Sequence, residues 1–316
     1  MIKNIDQTID GLLAAFNPKQ KKVLTERFGL KTGRRATLQE IGDGLGITRE
    51  RVRQIEEDGL KKLAPQAKKE GVSLLDFVHT YLANAGGVRR DDYLLKDISI
   101  YLFKNSKNKY IDQKLRFLFL TTGVPFYSRE SDEFNAYWYV DDNARKKFLD
   151  FVKTTTNFFK SRKGVDVNDS EYVSTAANFA SLSFFSIPKH FGVNVFGDVG
   201  LRIWPEIEPR TIRDKIYLVL KKQNKPLHFE DIANSISKLG IDRKQAHVQT
   251  VHNELIKDER FVLVGRGIYA LKEHGFEPGT VRQVIAKILK TDGPMHAPQV
   301  IQLVNEQRFL KENTIL

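Results

Sequence analysis

The chain has no cysteine among its 316 residues, which excludes a disulfide framework, a thiolate metal site and a cysteine nucleophile. It also lacks any apolar run long enough to span a bilayer. Its first ten residues, MIKNIDQTID, have neither the basic start nor the apolar stretch of a secretory signal. Nothing reads as a low-complexity tail. These absences predict a soluble, cytoplasmic protein. An apolar fraction of 41% and an aromatic fraction of 10% support packed cores, and the length allows two or more domains.

Signs of catalysis are missing too. The 7 histidines form no His-x-x-x-His pair and no metal-ligand spacing. Gly42, Gly44 and Gly46 follow no strand and lack the Lys-Ser/Thr of a phosphate loop. Asp112-Gln113-Lys114 is too short a pattern to stand for nuclease chemistry. Tyr137, Trp138 and Tyr139 are of a type that stacks on bases, but alternating aromatics on a hairpin read as core. The expectation is a protein that is not an enzyme, with no metal, cofactor or small-molecule substrate.

What the chain does have is positive charge at both ends. Its net charge is +12. Residues 1–70 hold 15 basic and 10 acidic side chains, residues 71–210 hold 19 and 17, and residues 211–316 hold 17 and 12. This distribution suits nucleic-acid-binding modules around a more neutral middle.

The segment TLQEIGDGLGITRERVRQIEEDGLKKL, Thr37 to Leu63, reads as a helix-turn-helix. Thr37 and Glu40 have the spacing of a capping box. Ile41 and Leu45 share a face, with Gly42 beside them where two helices cross closely. Gly46 suits a left-handed turn, Ile47 plugs the corner, and Thr48 caps the next helix. That second helix buries Val52, Ile55, Leu60 and Leu63 as one stripe. Arg49, Glu50, Arg53 and Gln54, flanked by Arg51, are left on the other side, where a recognition helix meets base edges. Arg grips the O6/N7 edge of guanine, Glu accepts from cytosine N4, and Gln pairs with adenine. Solvated helices also carry such residues, so the whole two-helix template carries the reading, with Thr37, Thr48, Arg49, Glu50, Arg51, Arg53 and Gln54 as the expected DNA-binding residues.

Phe16 to Leu63 as a whole resembles region four of bacterial primary sigma factors of the sigma-70 family. The matching pieces are NPK at Asn17–Lys19, RFGL at Arg27–Leu30, TLQEIG at Thr37–Gly42 and ITRERVRQIE at Ile47–Glu56. The resemblance implies binding to the upstream (minus-35) promoter hexamer and packing on the flap of the RNA polymerase β subunit. It places base contacts on Arg49, Glu50, Arg53 and Gln54. Only Met1–Ala15 precede the segment, where the family carries the regions that grip core enzyme and melt DNA. A self-sufficient sigma factor of the usual layout is therefore not expected.

Two C-terminal stretches are alike. TIRDKIYLVLKKQNKPLHFEDIANSI from Thr211 aligns with TVRQVIAKILKTDGPMHAPQVIQLVN from Thr280, matching Pro226 and His228 to Pro294 and His296. Self-similarity at this period suggests a duplicated domain. The first copy predicts a helix over 212–222, a strand over 226–228, helices over 230–239 and 246–256, and a hairpin turning at 265–267. This block resembles the HARE-type helix-turn-helix, a winged module also found in the delta subunit of Gram-positive RNA polymerase. The second copy stops just inside its third helix and reads as a truncated repeat. His228 and His296 recur with the module and are expected to make structural hydrogen bonds.

The middle shows the same order of elements in diverged form. A helix over 75–85 precedes Val88, helices over 93–103 and 111–121, and an aromatic wing, PFYSRESDEFNAYWYV. A comparable block has helices over 144–161 and 170–179 and a hairpin from Phe191. The predicted fold class is mainly α with small β-hairpins, built as tandem helix-turn-helix and winged-helix modules. The expected divisions are 1–66, 67–142, 143–208, 209–275 and 276–316. Two functions remain open: a promoter-reading transcription regulator partnered by double-stranded DNA and RNA polymerase, and a delta-like polymerase accessory subunit whose winged helices contact protein. A component of a DNA-processing enzyme is disfavoured because no active-site constellation is present.

Overall fold

A computed structural model describes residues 5–103, 109–162, 164–165, 182–240, 245–276 and 281–307. The fold is mostly helical with small antiparallel sheets. It divides into two compact units, one holding the described residues up to 158 together with 182–189, the other holding 159–165 and 190–307.

In the first unit, α1 (Ile5–Leu13) precedes α2 (Pro18–Phe28). Asn17 caps α2 in a capping box with Gln20, Pro18 takes the first helical position, and Gly29 ends the helix in the left-handed region at φ 65°. Next come α3 (Leu38–Leu45) and α4 (Arg49–Asn84). The helix expected from Leu75 is the distal part of α4, a single helix of 36 residues that runs through the division expected at residue 66. Pro65 lies inside it on the exposed side. There the Lys61 carbonyl that proline leaves without a donor can be solvated, so a residue that normally breaks helices is tolerated.

After α4 the chain forms β1 (Val88–Arg90), α5 (Asp91–Phe103), α6 (Ile111–Thr122), β2 (Phe126–Ser128), β3 (Tyr137–Tyr139) and α7 (Asp142–Lys160), with the short helix α8 (Leu182–Phe185) completing the unit. The sheet order is β1-β3-β2, all antiparallel, with Trp138 opposite both Arg89 and Tyr127. Tyr137 and Trp138, on opposite faces of β3, are both buried, and Tyr139 is half-buried. One core joins α1, α2, α4 from Leu63 onward, α5, α6 and Trp138, and includes Leu12, Phe28, Leu63, Ile98 and Phe117. Residues assigned by sequence to separate modules thus share an interior. Leu60, expected to be buried, is half-buried at the edge of this core.

The second unit holds the hairpin β4 (Phe191–Val193) and β5 (Val199–Leu201). It then forms α9 (Ile212–Gln223), β6 (Leu227–His228), α10 (Phe229–Lys238), α11 (Val248–Lys257), β7 (Phe261–Gly265) and β8 (Ile268–Leu271). Thr211 caps α9 through a capping box with Asp214. The order β6-β8-β7 repeats that of the first sheet, in which the leading strand pairs with the returning strand of the hairpin. This succession is that of a winged helix. Its core is Ile216, Leu220, Ile232, Val251, Leu255 and Tyr269 with their neighbours.

Last come α12 (Val281–Asp292) and α13 (Ala297–Gln307), which enclose Val284, Ile288 and Val304. His228 and His296 stand immediately before α10 and α13, and the His228 ring accepts from the Glu230 amide at 3.4 Å. The helix expected over 170–179 and the pieces aligned at 313–315 lie outside the described residues.

Candidate nucleic-acid interface

The site is the α3–turn–α4 corner. Thr37 accepts from the Glu40 amide at 3.1 Å while the Glu40 carboxylate accepts from the Thr37 amide at 2.7 Å. This bond to the Thr37 backbone is the leading reason that the Glu40 carboxyl sits below its ordinary pKa. Thr48 caps α4 by accepting from the Arg51 amide at 3.1 Å. Between the helices Gly46 adopts φ 62° and the Ile47 amide bonds to the Gly42 carbonyl at 3.0 Å. A Cβ on Gly42 would stand 2.6 Å from the Ile47 carbonyl oxygen. The close approach that requires glycine there is to the backbone of the turn rather than to the opposing helix. Beneath the corner lie Val23, Ile41, Val52 and Ile55, flanked by Leu38, Leu45 and Ile47. Arg27 ties α2 to this corner, bonding Glu56 at 2.8 Å and the Ala36 carbonyl at 3.1 Å.

On that base Arg49, Glu50, Arg51, Arg53 and Gln54 are all exposed at the first turns of α4, and so are Thr37 and Thr48. Arg53 bonds both Glu50 oxygens, the shortest contact being 2.7 Å, and pairs with Glu57 one turn on. The Arg53 hydrogen bond is the main reason that the Glu50 carboxyl lies below its ordinary range, and the same bond raises the Arg53 pKa. Arg51 donates to the Gln54 side-chain oxygen at 3.0 Å. Within this row Arg53 pairs with Glu50 and Arg51 with Gln54. These pairs are fully exposed, and water screens such interactions so strongly that they are readily exchanged for base or phosphate partners. The arrangement presents a capped helix end with exposed donors and acceptors in its first turns.

Two features beside the corner have structural roles. Gln113 donates to the Gly33 carbonyl at 3.0 Å, and Lys114 is buried in an ion pair with Asp6. Both residues of the Asp112–Lys114 pattern other than Asp112 are thus committed to packing α6. Among the described residues no three His, Asp or Glu side chains come together as a metal site, and no helix is long and apolar enough to cross a membrane. The Arg27–Glu56 brace was missed by sequence reasoning, because nothing in the spacing of two residues 29 positions apart announces a contact.

Residues 12–64 match the family model for Sigma-70, region 4. The RNA polymerase sigma factor sigB of Arabidopsis thaliana is 47% identical over 57 residues, which is 18% of this chain and 10% of that protein. The sigma factor SigA of Clostridium acetobutylicum is 46% identical over 66 residues, 21% of this chain and 18% of that protein. The N-terminal part of the chain is a sigma-70 region 4-like domain with a helix-turn-helix. The chain spans less than a fifth of the length of either relative.

Proposed function

We propose that this chain is a DNA-binding transcription regulator acting in transcription initiation, one that reads a promoter-like duplex with the N-terminus of α4. One observation carries this: the exposed row Arg49, Glu50, Arg53 and Gln54 stands on a capped, rigid helix end inside the segment that matches sigma region 4. Thr37, Thr48 and Arg51 serve as flanking phosphate contacts. RNA polymerase, through its β flap, is the expected protein partner, and the role is binding rather than catalysis, in the cytoplasm. The rest of the chain supplies winged-helix modules, of which 209–275 is of HARE type and is followed by a second stretch of the same pattern. The unbroken α4 joins the first of these rigidly to the reading domain.

The decisive experiment is Arg53→Ala, assayed on a promoter-like and a random duplex. Affinity for the promoter-like duplex is expected to fall by about one to two orders of magnitude, with relaxed preference at one base pair. An equal loss on both duplexes would leave Arg53 as a phosphate contact only.

A second reading is favoured by one observation in the second unit. In α11, the position of a reading helix in a winged module, the exposed residues include Val248 and Ile256, and Leu263 is exposed on the neighbouring hairpin. The sole cation of α11, Lys257, lies in the last turn next to Glu254. Such a face suits protein better than phosphate, as in a delta-like accessory subunit of the polymerase. A salt titration separates the two: a slope no steeper than the contacts of the α3–α4 corner require assigns the winged modules to protein.

A further inference from the structure

The pair α12–α13 repeats the start of the winged module, and that module shows what such a pair carries over it. Arg213, Ile216, Leu220 and Lys221 of the first copy align with Arg282, Ile285, Leu289 and Lys290 of the second, and Ile232 and Ile236 align with Val300 and Val304. In the first copy Ile216, Leu220 and Ile232 are fully buried, sharing a core with Val251 and Leu255 of α11 and with the sheet. Arg213 pairs with Glu254 of α11, and Lys221 pairs with Glu206 at 2.9 Å. The cover that α11 supplies is thus two apolar side chains four residues apart, with a carboxylate for Arg213 one residue before the second.

In the second copy the contact between the two helices is kept. Ile288 and Val304 are buried, as are Val219 and Ile236 at the matching positions. The outer positions differ. Leu289 is 37% exposed where Leu220 is fully buried, and Ile285 and Val300 are half-buried. The apolar cluster draws its members only from α12, α13 and Met295 between them. Arg282, Ile285 and Leu289 stand at i, i+3 and i+7 on one face of α12. Arg282 and Lys290 are exposed, and neither has a hydrogen bond or ion pair among the described residues. Both align with cations that hold a carboxylate in the first copy.

We propose that the face formed by Ile285, Leu289 and Val300, with Arg282 and Lys290 beside it, binds an acidic amphipathic helix of a partner protein, seated as α11 is on α9 and α10. The partner is recognised by apolar side chains four residues apart and a carboxylate one residue before the second, the pattern of Val251, Glu254 and Leu255. Arg282 takes that carboxylate as Arg213 takes Glu254, and the guanidinium fork suits a carboxylate geometrically. Lys290 adds a second attraction for acidic side chains at the edge of the face. A helix fits better than a duplex, because a phosphate backbone leaves the apolar side chains of the strip without apolar cover. The inference goes beyond base reading by α4 and does not depend on it.

The test uses the full chain and a fluorescein-labelled peptide with the α11 sequence, residues 246–259, in anisotropy titrations at about 0.1 M salt. A scrambled peptide of the same composition reports charge attraction alone. Wild type is expected to bind the α11 peptide at least about tenfold more tightly than the scrambled one. Arg282→Glu, a substitution at an exposed position, should lose about tenfold, and the peptide with Glu254→Arg should restore binding to that variant. Equal binding of the two peptides overturns the site, as does an Arg282→Glu chain that binds like wild type. Binding gained only after deletion of residues 308–316 also overturns it, since the chain would then cover this face itself. So does a concentration-dependent dimer in sedimentation that Leu289→Glu abolishes, which would assign the face to a second copy.

Discussion

Glu57 holds Arg53 from the turn after Glu50, so the guanidinium most central to the reading row is shared between two carboxylates before any DNA arrives. Under the proposed function their roles on DNA differ. Glu50 lies in the first turn of α4, where its carboxylate is a candidate acceptor for cytosine N4. Glu57 lies farther along the helix, and its negative charge beside a phosphate backbone is purely repulsive. Glu57→Gln is therefore expected to tighten duplex binding severalfold without changing sequence preference, because Arg53 is released and one repulsion is removed. Glu50→Gln should instead change preference at one position. Anisotropy titrations on a panel of single-base variants would distinguish them, and a Glu57→Gln protein that binds more weakly than wild type would show that this carboxylate positions Arg53 for reading.

At the scale of the element, the corner depends on glycines that look alike in sequence and differ in space. Gly42 faces the Ile47 carbonyl, where an added methyl group meets immovable backbone. Gly44, two residues on, has nothing within 4 Å of an added Cβ and no positive φ. Gly42→Ala is expected to destabilise the corner by about 1–3 kcal/mol, as overpacking does. Gly44→Ala is expected to stabilise it by about 0.5–1 kcal/mol, the usual gain of alanine over glycine in a helix. Thermal melts of the two variants test this, and shifts of the same sign would refute the distinction. The caps of this corner were legible because they are local: Thr37 with Glu40, Gly46 and Thr48 all act within four residues. The unbroken α4 was not legible. Pro65 and the change of pattern after Leu63 look like a boundary, and only packing of Ala67, Leu74, Val78 and Leu82 into the shared core carries the helix on.

For the first unit as a whole, that shared core ties α1, α2 and α4 from Leu63 onward to the module after them. The match to the sigma region 4 model ends at residue 64, yet the interior continues without a seam into α5, α6 and β3. Long-range contacts of this kind leave no periodic signature, since Phe28 and Phe117 are both simply apolar helix residues until folding brings them together. Their rings meet edge to face at 5.1 Å, and Phe117 is fully buried. Phe117→Ala, far outside the sigma-like segment, is expected to cost about 3–5 kcal/mol through lost burial and the cavity left behind. The loss should reach α2 as well as α6. Hydrogen exchange would read it as faster exchange of the amides of Val23 to Phe28 together with those of Leu115 to Phe119. Faster exchange confined to α5, α6 and the hairpin would show instead that Val23, Ile41, Val52 and Ile55 sustain the reading corner on their own.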